Sequence, residues 1–104
     1  WARAVIDVPL PATADINRVN MLLHSVGDEV YADATLRPLM LDAPMVMGVE
    51  SIDVGKFSIR VVSRTLPGKQ FVVGRELRAR IATALREEGI TLPAESETGA
   101  TRPS

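Results

Sequence analysis

Apolar and polar residues alternate along this chain with two different periods, and the switches between them mark its elements. From Ala2 to Val8 the period is two. Ala4, Ile6 and Val8 fall on one face and Arg3, Val5 and Asp7 on the other, which predicts a strand. Pro9-Leu10-Pro11 is expected to end it, because proline cannot donate to a ladder. From Asp15 to Ala32 the spacing becomes three and four. Ile16, Val19, Leu23, Val26 and Val30 make one apolar stripe opposite Asn17, Arg18, Asn20, His24, Asp28 and Glu29, which predicts a helix capped by Thr13 or Asp15. Gly27 weakens that helix by about 1 kcal/mol relative to alanine, and close packing on the sheet is the expected return.

Residues 33–44 read as a connection whose Leu36, Leu39, Met40 and Leu41 pack on the body. Pro44 opens a second strand, Met45 to Ile52, with Met45, Met47 and Val49 on one side. Asp53-Val54-Gly55-Lys56 predicts a hairpin turn, with glycine available for positive φ. A third strand follows from Phe57 to Arg64, with Phe57, Ile59 and Val61 facing one way and Ser58, Arg60 and Val62 the other.

Pro67-Gly68 then breaks the chain, and a second helix is predicted from Gln70 to Glu88. Its buried stripe is Val73, Leu77, Ile81, Ala84 and Leu85, with Glu76 one turn before Arg80 as a surface pair. Gly89 followed by Ile90 reads as a Schellman stop. Ile90 to Leu92 is expected to add a short last strand. Ala94 to Ser104, rich in Glu, Ser, Thr, Gly and Pro, is expected to be a disordered tail. The order β-α-β-β-α, with a final β, predicts an α+β ferredoxin-like sandwich, two helices on one face of an antiparallel sheet, over residues 1–93.

Composition narrows the function classes. Twelve Lys+Arg face thirteen Asp+Glu, and that balance argues against a general nucleic-acid binder. There is no cysteine, which excludes disulfides and thiolate metal sites. No apolar run approaches membrane-spanning length, and no signal peptide is visible. The first residue is not Met, and the chain is expected to be part of a longer one.

Catalytic chemistry finds little support. His24, the one histidine, lies one turn before Asp28 on a polar helix face, and no motif places a nucleophile beside it. A zinc site needs about four ligands at fixed spacing, and Asp53 to Gly55 is too short for a calcium loop. Gly68-Lys69 before a helix lacks the remaining glycine and hydroxyl of a phosphate loop. The second and third strands carry no exposed aromatic pair for RNA stacking. No enzymatic activity, cofactor or metal is therefore expected. Arg75, Arg78, Arg80 and Arg86 make the second helix basic, a face able to grip an anion or an acidic neighbour, or simply a solvated one balanced by Glu76, Glu87 and Glu88.

Three stretches in order carry a family resemblance. They are Arg3-Ala4-Val5-Ile6-Asp7-Val8 with Ala14-Asp15-Ile16 and Val19, then Pro44 to Ile52 leading into Phe57-Ser58-Ile59-Arg60-Val61, then Arg75 to Ile81 running into Glu88-Gly89-Ile90-Thr91-Leu92-Pro93. Over residues 1–93 the chain resembles the C-terminal cytoplasmic region of the small-conductance mechanosensitive channel family. Where family members often continue with an aromatic, a second proline and a strand for a small terminal barrel, this chain has Ala94-Glu95-Ser96.

The resemblance implies a structural and regulatory domain of a cage on the cytoplasmic side of the plasma membrane. In that family the cage is a homo-heptamer, joined to the membrane through N-terminal helices, and the channel releases ions and small solutes on hypo-osmotic shock. Arg60, Arg64, Arg75 and Arg78 are the candidate subunit-interface or portal-lining residues, and Asp7 and Glu50 are further portal candidates. The separated domain is expected to be monomeric or weakly associated. The alternative is a small-ligand-binding regulatory domain on the same fold, which a preformed apolar pocket with converging polar groups would favour. An acylphosphatase-like enzyme fits poorly, since Pro9-Leu10-Pro11-Ala12 lacks the glycines of an anion cradle.

Overall fold

The computed structural model describes residues 1–90 and contains, in order, β1 (Ala2–Pro11), α1 (Ile16–Ala32), a short 3-10 turn (Arg37–Leu39), β2 (Met45–Asp53), β3 (Lys56–Thr65) and α2 (Gln70–Glu87). The three strands form one antiparallel sheet in the order β1-β3-β2. Both helices pack on one side of it, so the protein is the expected α+β ferredoxin-like sandwich. Thr91 and Leu92 of the expected last strand, and the expected tail from Ala94 to Ser104, lie outside the described residues.

Alternation decides which side of the sheet is covered. Ala4, Ile6, Val8 and Leu10 of β1 and Phe57, Ile59 and Val61 of β3 point inward and are buried. Val19, Leu23, Val26 and Val30 of α1 and Val73, Leu77, Ile81 and Leu85 of α2 close over them. Two predicted stripe residues differ. Ile16 is 40% exposed because it opens the helix at the rim, and Ala84 is only half-buried beside the core.

β1 runs three residues beyond the expected stop. Pro9 and Pro11 remain in the ladder because β1 is an edge strand among the described residues, where a missing N–H can face away from its partner. β2 departs from strict alternation. Its register against β3 shifts between Val46 and Val49 and again between Val49 and Ser51, with Gly48 at φ +90°. An extra residue at each shift disrupts the ladder and re-aims the side chains that follow.

The helix ends follow the residues that cap them. Asp15 accepts from the N–H groups of Asn17 and Arg18 at 3.1 and 3.2 Å. Gly89, at φ +78°, lets its N–H reach Arg86 C=O and the Ile90 N–H reach Leu85 C=O, the two bonds of a Schellman stop. Gly27 does allow close packing, against Pro44 in the loop before β2 rather than against the sheet; a Cβ there would stand 3.4 Å from the proline ring. Gly74 brings α2 equally close to Ala4 of β1.

Candidate functional site

The four candidate arginines fall on two separate surfaces. Arg60 and Arg64 alternate with inward residues on β3 and therefore project from the sheet face that the helices leave uncovered. Arg75 and Arg78 lie on α2 above the outer edge of β1. The sequence places them on strand and helix; only the packing of α2 across β1 brings Arg3 beside the second pair.

On the open face, β1 and β3 pair Asp7 directly with Arg60. Arg60 donates through Nε and Nη2 to the two Asp7 carboxylate oxygens at 2.8 and 3.2 Å, a bidentate fork. Its Nη1 lies 3.6 Å from Glu50 of β2. The hydrogen bond from Arg60 holds the Asp7 carboxyl below its usual pKa, and the same bond raises that of Arg60. One guanidinium thus faces two carboxylates, and this three-residue group carries a net negative charge. Val5, Val62 and Met45 form the neighbouring apolar row.

Arg64 is neutralised too. It donates from Nε to Asp42 at 2.9 Å and also through Nη2, and its guanidinium lies 5.2 Å from the centre of the Trp1 ring. Asp42 escaped sequence reasoning because no spacing rule links a loop carboxylate to a strand arginine. The loop is fixed there by backbone bonds from Leu41 N–H to Arg64 C=O and from Leu66 N–H to Leu39 C=O.

The basic face of α2 divides as well. Arg80 donates to Glu76, the expected partner, at 3.3 Å, but also to Asp33 at the end of α1 at 2.6 Å. Glu88 pairs with Arg18 across the helices. Arg75 and Arg78 make no ion pair among the described residues. They line a groove beside β1 together with Arg3 at one end and with Ile6, Val8 and Pro9 at the other.

His24 is exposed on α1. Among the described residues, no group of three or more His, Cys, Asp or Glu is placed to hold a metal ion. Nor is any helix there long and apolar enough to cross a membrane.

Comparison with known proteins gives this geometry its context. The family model for the C-terminal region of the mechanosensitive ion channel MscS matches residues 4–92, nearly the whole packed body. The chain belongs to the MscS mechanosensitive channel family. The small-conductance mechanosensitive channel of Caldanaerobacter subterraneus subsp. tengcongensis is 24% identical over 90 residues, covering 86% of this chain. The chain spans 31% of the length of that relative. The MscS match is to a channel domain, not to an enzyme family, and it does not favour the reading as a small-ligand regulatory module.

Proposed function

We propose that this MscS C-terminal domain is a wall element of a cytoplasmic vestibule, in a plasma-membrane channel that releases ions and small solutes on hypo-osmotic shock. Its role is structural and regulatory rather than enzymatic, and the assembled channel is a homo-oligomer, a heptamer. The observation that carries this reading is the family match from residue 4 to residue 92, which takes in both helices and all three described strands. Separated from its membrane portion, the domain loses the high local concentration that holds subunits together, so it is monomeric or weakly associated.

The open sheet face suits a vestibule wall or portal rim. Asp7, Arg60 and Glu50 give it fixed charge of both signs, and fixed charge at a constriction concentrates counterions. Arg64, with its charge matched by Asp42, contributes position more than field. Arg75 and Arg78 are left to meet an acidic surface.

The test is tension-gated conductance. The whole parent protein, expressed in bacteria lacking their own osmotic release channels, should restore survival of a sudden drop in osmolarity and give pressure-activated currents in membrane patches. A parent protein without apolar membrane-spanning helices, or one that gives no such current, would overturn the reading. Light scattering of the separated domain at micromolar concentration should give the monomer mass; a stable heptamer would contradict the stated weak association.

A further inference from the structure

The cleft at the start of α2 holds cations with no acid among them. Phe71, Arg75 and Arg78 recur at spacings of four and three, so they share one face of α2. That face borders a cleft of about 330 Å³, at the small end of the range for small-molecule sites. Arg3 and Val5 of β1 line the cleft from the sheet, and Gln70 lines it from the first turn of α2. It lies at the opposite end of β1 from Pro11, where Ile90 is found.

No Asp or Glu lines this cleft or stands in the first turn of α2. Asp7 and Glu76, the carboxylates closest along β1 and α2, are held by Arg60 and Arg80. Arg3, Arg75 and Arg78 make no ion pair among the described residues. Arg78 folds back over Gly74, its Nη1 3.6 Å from where a Cβ would stand, which keeps its charge on the β1 side of the helix. Beside these cations the Phe71 ring is 68% exposed. The Gln70 side-chain oxygen is shut off from water and has no hydrogen-bond partner, an acceptor left without a donor.

Each feature asks for a different chemical group. Guanidiniums fork onto phosphate oxygens. An exposed aromatic ring stacks a nucleobase. The Gln70 oxygen needs an N–H or O–H donor, which a fully ionised phosphate does not carry. A nucleoside diphosphate supplies all three, with about three negative charges near neutral pH to set against three guanidiniums.

We infer that this cleft binds a nucleoside diphosphate. The phosphates lie on Arg3, Arg75 and Arg78, the base stacks on Phe71, and an amine or hydroxyl of the nucleoside donates to Gln70 Oε1. The enclosed volume and the orphan acceptor suit a small molecule better than a flat acidic surface. The site adds a ligand to the channel domain and leaves the vestibule reading in place.

Titration of the 104-residue chain with ADP, followed by two-dimensional amide NMR, tests this. ADP should shift the Arg3, Val5, Phe71, Arg75 and Arg78 signals with a Kd of about 1 mM or tighter. Arg75→Gln/Arg78→Gln should weaken ADP and inorganic pyrophosphate alike, by about tenfold or more. Phe71→Ala should weaken ADP by about tenfold and leave pyrophosphate unchanged. Arg60→Gln/Arg64→Gln removes the same charge from the open sheet face and should change either affinity by less than about twofold. An unshifted Leu77 amide reports that each variant stays folded. An ADP Kd weaker than about 1 mM would overturn the site. So would equal losses from the two arginine pairs, which would reduce binding to general charge attraction. Equal affinity for ADP and pyrophosphate, indifferent to Phe71→Ala, would also overturn it by leaving no role for the nucleoside. No readout here involves conductance, so this site and the channel reading fail separately.

Discussion

Arg80 of α2 donates to the Asp33 carboxylate at 2.6 Å, and Asp33 is the residue that ends α1. Asp33 also accepts from the Thr35 hydroxyl at 2.6 Å and from the Thr35 N–H at 2.8 Å. One carboxylate therefore stops a helix, shapes the following turn and ties the two helices together. The Thr35 hydroxyl first, then Arg80 and the Thr35 N–H, hold the Asp33 carboxyl well below the usual carboxylate range.

That depression sets a pH dependence. The contribution of Asp33 is fully present above its unfolded value near 4 and is lost as pH falls toward the lower folded value. Between about pH 5 and pH 2, urea midpoints of the wild type should fall more steeply than those of Asp33→Asn. Parallel slopes for the two proteins would show that the carboxylate is not held in this way.

Leu77 is fully buried under the sheet from α2. Leu77→Ala should cost about 2–5 kcal/mol, the range for a core leucine whose cavity does not collapse. Denaturant unfolding should show a lower midpoint with an unchanged slope. A loss below about 1 kcal/mol would mean that the helix is not seated as described.

Gly89 sits at φ +78°, in the left-handed region. Gly89→Ala should destabilise the fold by about 1 kcal/mol because Cβ crowds the carbonyl there, and Gly89→Asn by less. Thermal melts of the three proteins check the ranking wild type, then Asn, then Ala.

Removing Arg60 should move a titration more than it moves the fold. Its fork to Asp7 is half-exposed and bathed in solvent, so the pair contributes little to stability. In Arg60→Gln the Asp7 carboxyl, now beside Glu50 without a cation, should titrate at higher pH than in the wild type. Carboxyl-carbon NMR titration measures this directly; an unmoved Asp7 would remove the fork from the solution structure.

Local pattern carried most of the framework. The period of two in Ala4, Ile6 and Val8, the helical spacing of Val73, Leu77 and Ile81, and Gly89 before Ile90 each act within a few residues, so they could be read directly. β2 was less legible, because its register shifts become visible only against β3 and undo a simple alternation. The continuation of β1 through Pro9 and Pro11 was hidden for a similar reason: proline is compatible with a strand only when its missing donor faces away from the neighbour.

By itself the sequence determined the elements, their order, the buried faces and the resemblance to a channel family, since these depend on periodicity and on motifs in series. Only the tertiary structure decided which charges meet. It joined Asp7 to Arg60 and Glu50, Arg64 to Asp42 and Arg80 to Asp33, and it gathered Arg3, Arg75 and Arg78 at one edge. Electrostatic partners are chosen by distance in space, and apart from the helical pair Glu76 and Arg80 these lie too far apart along the chain for spacing to reveal them.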